Sequence, residues 1–115
     1  MKGEMLLKAN IQGNICTNSN RMAIRKWRNE MERDLVSLHL PKIGRRKICV
    51  TIKMWIYQSR LQLQRNDLDN LVKPILDTMK RIRIIEDDAD VFHLETTKFP
   101  TTSEEEVQIV VRGWH

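Results

Sequence analysis

Apolar and polar residues alternate along four stretches of the chain, which is the pattern of half-buried β-strands. The alternation is clearest over residues 48–57, where every even-numbered residue is apolar. Residues 5–15, 91–99 and 106–114 alternate less strictly and predict three further strands. The turn-rich stretch 100–103 predicts a hairpin connection between the last two of these strands.

Two other stretches have the spacing of amphipathic helices. Apolar residues recur at intervals of three and four over residues 21–40, which places Trp27 in the core or at an interface. The same spacing over residues 69–81 predicts a second helix, and Pro74 favours a start close to residue 69 because proline is tolerated near a helix start. The order β-α-β-α-β-β predicts one α+β domain over residues 1–115, with a mixed or antiparallel sheet packed against two helices.

The composition is typical of a globular protein. The chain has 115 residues, of which 41% are apolar and 30% charged, so disorder is not expected. No apolar run is long enough to span a membrane and the first residues lack the features of a signal peptide, so we expect a cytoplasmic, nucleoid-associated protein. Cys16 and Cys49 lie far apart without metal-binding spacing, which predicts two reduced thiols and no zinc site.

The net charge of +5 is compatible with a polyanionic partner, and the charges are unevenly distributed. Basic residues gather in residues 21–33, 45–47 and 80–83, whereas acidic residues gather in residues 86–90 and 104–106. Such segregation fits nucleic-acid binding and ordinary surface patterning equally well.

Two aspartates, Asp67 and Asp69, stand two residues apart where an irregular segment enters the second predicted helix. In an extended backbone such residues project to the same side, so the two carboxylates can converge on one point. Carboxylate oxygens are the ligands that Mg²⁺ prefers. A third carboxylate could come from the acidic turn that contains Asp87, Asp88 and Asp90.

Lys73 follows Asp69 by one helical turn, and Asp77 follows Lys73 by another. A lysine beside a metal site could hold a scissile phosphate or stabilise charge in the transition state. Structural explanations fit the same spacing. Asp69 or Asn70 could cap the helix, the acidic turn could simply be solvated, and an exposed ion pair could join Lys73 to Asp77.

Residues 65–100 resemble the signature of the RusA-type Holliday-junction resolvases. The matching elements are Asp67-Leu68-Asp69-Asn70-Leu71-x-Lys73, then Asp77, then Ile85-x-Asp87-Asp88-x-x-Val91, and Lys98. Several elements in one register are more specific than a lone pair of aspartates. The N-terminal half departs from the family pattern, because residues 13–19 replace a proline-rich segment that many members carry.

The resemblance implies a small Mg²⁺-dependent endonuclease, with Mn²⁺ as a substitute metal and no small-molecule cofactor. Asp67, Asp69 and Asp88 match the metal ligands of the family, and Lys73 matches a lysine required for cleavage. Members are homodimers that place symmetric nicks across four-way DNA junctions, and many come from phage or prophage genomes. The resemblance therefore implies branched DNA as the partner, a second copy of the chain, and no membrane.

Basic side chains are the candidates for contacts with the DNA backbone. They are Arg25, Arg28, Arg45, Arg46, Lys47, Arg60, Arg65 and Lys98. Two other functions stay open from the residues alone: a non-catalytic module that binds DNA structures, and a small interaction protein whose acidic turn is plain surface. Mg²⁺-dependent nicking of a junction separates them, because only an enzyme yields products.

Overall fold

The computed structural model describes residues 1–16, 21–61 and 67–115. Its elements are β1 (Lys2–Gln12), α1 (Arg21–Ser37), β2 (Ile48–Tyr57), α2 (Gln58–Leu61), α3 (Leu68–Arg81), β3 (Val91–Thr101) and β4 (Glu106–Trp114). A short 3₁₀ helix, Asp88–Asp90, precedes β3. The order of strands and long helices confirms the predicted α+β arrangement, and the single turn α2 is an addition to it.

The four strands form one mixed sheet in the order β1-β4-β2-β3. β4 runs antiparallel to both of its neighbours, whereas β2 and β3 are parallel. The predicted hairpin is wrong, because β2 lies between β3 and β4 and residues 102–105 cross its end. β3 is an edge strand, which is where a sheet tolerates a proline such as Pro100.

One face of the sheet packs against α1 and α3 and forms the core. The alternation in β2 puts its even-numbered residues in this core, as the sequence predicts. The largest fully buried side chains include Trp27, Met31, Leu35, Ile52, Met54, Ile56, Leu71, Ile75 and Met79. Trp27 is 1% exposed, so its predicted core position is confirmed. Apolar burial of this kind is the main favourable term in folding.

The helix boundaries differ from the predicted ones. α1 ends at Ser37, three residues early, and the chain then turns through His39, whose φ of 52° lies in the left-handed region. α3 begins at Leu68, so Pro74 falls in its second turn and not at its start. Pro74 has no amide hydrogen for the carbonyl of Asn70, but burial of the proline ring in the core offsets that loss.

The opposite face of the sheet is half exposed and carries two stacked ring pairs. The Trp55 and Phe99 ring centroids are 5.3 Å apart, and those of His93 and Trp114 are 4.7 Å apart. In the described part of the chain, no helix is long and apolar enough to cross a membrane.

Candidate active site

Asp67 and Asp69 lie at the N-terminal end of α3, and both are exposed. Asp67 is the N-cap: its backbone is extended, its carbonyl accepts a hydrogen bond from the Leu71 amide at 3.0 Å, and its side chain makes no capping hydrogen bond. The capping explanation for Asp69 is therefore wrong, since Asp69 lies inside the first turn. Both carboxylates are left available at the positive end of the helix dipole, where anionic side chains stabilise a helix.

Lys73 is exposed one turn after Asp69. Within the described residues Lys73 forms no ion pair, and Asp77 instead lies 3.2 Å from the guanidinium of Arg28 on α1. The predicted pair between Lys73 and Asp77 is therefore wrong. The first two turns of α3 present two carboxylates and one ammonium group on neighbouring surface.

Asp88 lies at the other end of α3, in the short 3₁₀ helix. Its Oδ1 is 3.4 Å from Nζ of Lys80, which belongs to the last turn of α3. The preceding Asp87 accepts a hydrogen bond from the Ala89 amide at 2.9 Å, and this bond is the main reason that the pKa of Asp87 lies below its ordinary value. The acidic turn is thus held by local hydrogen bonds.

The two acidic regions are far apart within one chain. Asp69 and Lys80 are separated by eleven residues of α3, which at the rise of an α-helix amounts to about 16 Å. β3 gives a similar span, because it begins just after the acidic turn, and the seven residue steps from Val91 to Lys98, which contacts the end of α2, cover about 23 Å. Among the described residues no three acidic, histidine or cysteine side chains are close enough to hold a metal.

A comparison with known protein families shows which family the chain belongs to. The family model described as Endodeoxyribonuclease RusA matches residues 12–112. The chain belongs to the RusA endodeoxyribonuclease family. The match extends well into the N-terminal half, where the sequence pattern is least typical. No curated protein matches the chain with significance.

RusA-family proteins are nucleases that act on branched DNA junctions, and such nucleases generally depend on a divalent metal. In this RusA-family chain the donor chemistry fits a hard cation, because Asp67 and Asp69 offer carboxylate oxygens at one exposed place. The full set of three aspartates does not fit one ion within a single chain, since Asp88 lies at the far end of α3.

The two residues of α1 that were predicted to contact DNA, Arg25 and Arg28, differ in how exposed they are. Arg25 is exposed on the outer face of α1, beside Arg21 and Lys26. Arg28 is half-buried and pairs with Asp77. The outer face of α1 therefore presents exposed basic side chains that could attract a polyanion.

The predicted contacts in the loop before β2 have protein partners. Nε of Arg45 lies 2.8 Å from Oδ2 of Asp90, a nearly buried carboxylate, and this pairing raises the pKa of Arg45. Arg46 lies 3.6 Å from Glu4, and the ammonium of Lys47 lies 5.3 Å from the centre of the Phe92 ring. These three side chains are exposed enough to reach DNA as well.

Two of the remaining predicted contacts, Arg60 and Lys98, bind protein groups near α2. Arg60 pairs with Glu105, and Lys98 donates a hydrogen bond to the Leu61 carbonyl at 2.9 Å. Arg65 lies outside the described residues. Arg60 and Lys98 are thus engaged with protein groups where a DNA contact was expected.

Glu105 is the functional candidate that the sequence analysis missed, because it was placed in a surface acidic run. The side chain is 3% exposed as a residue and accepts hydrogen bonds inside the protein. A signal was available, since Glu105 stands two residues before the inward-facing Val107 and the alternation of β4 extends back to it.

Proposed function

We propose that this RusA-family protein is a Mg²⁺-dependent endonuclease that resolves Holliday junctions by paired symmetric nicks. The observation that carries the proposal is the exposed pair Asp67 and Asp69, with Lys73 one turn later, in a chain that matches the family over residues 12–112. The first turns of α3 thus present two metal-binding carboxylates and a cation that suits a phosphate.

Asp67 and Asp69 would hold the metal through carboxylate oxygens and leave several positions for water and for the phosphate. A bound Mg²⁺, or Mn²⁺ in its place, supplies a water of lowered pKa and neutralises charge on the phosphate. Lys73 would contact the scissile phosphate or the departing oxygen, because its ammonium projects from the same end of α3.

A homodimer would bring the third carboxylate to the site. Two copies related by a two-fold axis could place their α3 helices antiparallel, so that the start of one lies beside the end of the other. Asp88 of the partner subunit would then approach Asp67 and Asp69, and Asp69 would oppose Lys80 of the partner subunit. The separation of the two acidic regions within one chain supports this arrangement. Each dimer would carry two sites, as paired nicks require.

DNA backbones would lie along the outer face of α1, where Arg21, Arg25, Lys26 and Arg33 are exposed. Arg46 and Lys47 could extend this contact. Such contacts contribute affinity and salt dependence but little base readout. We do not assign Arg60 or Lys98 to the DNA surface, because both are engaged with protein groups near α2.

The first experiment compares a synthetic four-way junction with linear duplex of the same sequence, in Mg²⁺, in Mn²⁺ and in Ca²⁺. We expect symmetric nicks in the junction with Mg²⁺ or Mn²⁺ and none in the duplex. Binding of the junction without cleavage in any metal would favour the non-catalytic DNA-binding alternative, which the separation of Asp69 from Asp88 also fits. Absence of binding would favour the interaction protein.

Mixing two inactive variants tests the shared site. Asp69→Asn and Asp88→Asn are each expected to be inactive, because each removes one ligand charge from every site of a homodimer. In a mixed dimer with shared sites, one site loses both ligands and the other regains all three. Recovered nicking of one strand is therefore expected after subunit exchange. No recovery in demonstrated heterodimers would place all three ligands in one chain.

A further inference from the structure

The carboxylate of Glu105 lies buried where β1, β2 and β4 meet the single turn α2. Oε2 accepts a hydrogen bond from the Tyr57 amide at 2.9 Å, and Oε1 pairs with Nη1 of Arg60. Nη2 of the same guanidinium donates to the Ile15 carbonyl. Arg60 thus joins α2 to the residue before β4 and to the stretch that follows β1, and Glu105 joins the same cluster to the end of β2.

Two further contacts extend this network. The carbonyl of Glu105 accepts a hydrogen bond from the Gly13 amide at 3.2 Å. On the other side of α2, Nζ of Lys98 donates to the carbonyl of Leu61, its last residue, at 2.9 Å. α2 is therefore held from the edge strand β3 and from the centre of the sheet at once.

α2 depends on these contacts for its position. It has four residues, none of them fully buried, and only Leu61 packs against the core, so it has neither the length nor the apolar face that stabilises a helix. Polar contacts to Glu105 and Lys98 add to this single hydrophobic contact. Glu105 itself is 3% exposed, and such a carboxylate requires a charged partner and hydrogen bonds.

We infer that Glu105, Arg60 and Lys98 are positioning residues for the carboxylates at the start of α3. α2 ends at Leu61, six residues before Asp67, so its placement sets where the chain starts towards the acidic pair. The inference rests on the proposed function, because it takes Asp67 and Asp69 as the reactive centre. It assigns Arg60 and Lys98 to the alignment of that centre, and not to contact with DNA.

The experiment combines a single and a double variant. Glu105→Gln removes the charge and leaves Arg60 facing a neutral amide, whereas Arg60→Met with Glu105→Gln removes both charges. Replacing a buried ion pair by neutral groups is often harmless to stability, so the double variant should recover most of the melting temperature that the single variant loses. Glu95→Gln is the control, because it breaks the 2.7 Å pair with Lys2 on the open sheet face, away from α2.

The decisive readout is the single-turnover cleavage rate at saturating enzyme, with junction Kd measured in Ca²⁺. Misplacement of a reactive group by about 1 Å costs up to about a hundredfold, so we expect both Glu105 variants to lose at least about tenfold in rate. The Kd should change by less than about twofold, because no proposed phosphate contact is removed. If the double variant recovers both its cleavage rate and its melting temperature, Arg60 and Glu105 contribute only to stability, and the inference is overturned.

Amide NMR of the protein without DNA tests the inference independently of cleavage. Glu105→Gln should shift the amide signals of residues 68–73, and Glu95→Gln should leave them unchanged. If the wild-type chain cuts no junction, the proposed function fails, and these signals still decide whether Glu105 sets the start of α3. Signals of residues 68–73 that stay unchanged in Glu105→Gln would overturn the positioning role.

Discussion

Both ends of α3 carry aspartates, but the carboxylates have different surroundings at the two ends. At the C-terminal end the acids are engaged: Asp87 accepts the Ala89 amide, Asp88 faces Lys80, and Asp90 pairs with Arg45. At the N-terminal end, Asp67 and Asp69 are exposed and form no ion pair within the described residues.

The carboxylates at the two ends of α3 therefore differ in whether they stabilise the fold. The carboxylates of Asp87 and Asp90 stabilise the turn that precedes β3. Both accept hydrogen bonds from protein groups there. Those of Asp67 and Asp69 form no ion pair within residues 1–16, 21–61 and 67–115, and there they stay available for a cation. Asp88 is intermediate, because its side chain is 56% exposed and its contact with Lys80 is long.

The largest expected effect is that of Asp69→Asn on junction cleavage. We expect cleavage of the junction to be abolished, while junction binding stays the same or tightens, because a metal-ligand charge that repels phosphate is removed. The melting temperature should hardly change, since Asp69 is exposed and is not the helix cap. Glu86→Gln, an exposed acid at the other end, is the matched control and should cut normally. Near wild-type cleavage by Asp69→Asn would remove Asp69 from the site.

Lys73 and Lys80 allow the same comparison between cations. Lys73→Ala should lower the single-turnover rate about a hundredfold, the scale for losing one transition-state stabiliser, with little change in melting temperature. Lys80→Ala should have a much smaller effect on the rate, because Lys80 contacts the Asp88 carboxylate at 3.4 Å and is not proposed to contact the scissile phosphate. Similar losses in the two variants would argue that both lysines act through general attraction of DNA.

Breaking the ion pair of Arg45 and Asp90 should lower the melting temperature. Asp90 has a side chain that is 11% exposed, whereas that of Arg45 is 65% exposed. Arg45→Ala leaves a nearly buried carboxylate with fewer partners, so it should lower the melting temperature by several degrees. Asp90→Asn removes the buried charge and should cost less. The reverse order, measured by calorimetry, would show that the Asp90 carboxylate is stabilised mainly by groups other than Arg45.

The smallest expected effect concerns the two thiols. Burial raises the pKa of Cys16, although the charge of Arg60 opposes the shift, so less thiolate is present at neutral pH. Alkylation of Cys16 by iodoacetamide at pH 7.5 should be a few-fold slower than in urea, and the difference should shrink as the pH rises above 9. Cys49, which is fully buried, should react only after unfolding. Mass spectrometry of the labelled peptides measures both rates.

Much of the local structure could be predicted. The alternation over residues 48–57 and the stripe of α3 locate a strand and a helix, because each pattern repeats at the period of one backbone geometry. The acidic pair Asp67 and Asp69 could also be placed at a helix start. The hairpin could not be excluded, since a turn-rich stretch fits a hairpin and a connection over a third strand equally well.

The positions of most strands and helices, their buried faces, and the acidic pair with a lysine one turn later could all be inferred from the amino-acid sequence alone. Those features depend on neighbours within a few residues, and local periodicity records them. Only the tertiary structure decided that β2 lies between β3 and β4, that Glu105 is buried against Arg60, and that Asp88 lies a helix length from Asp69. These facts join residues that are distant along the chain. Their partners are selected by packing of the whole sheet, which no local pattern encodes.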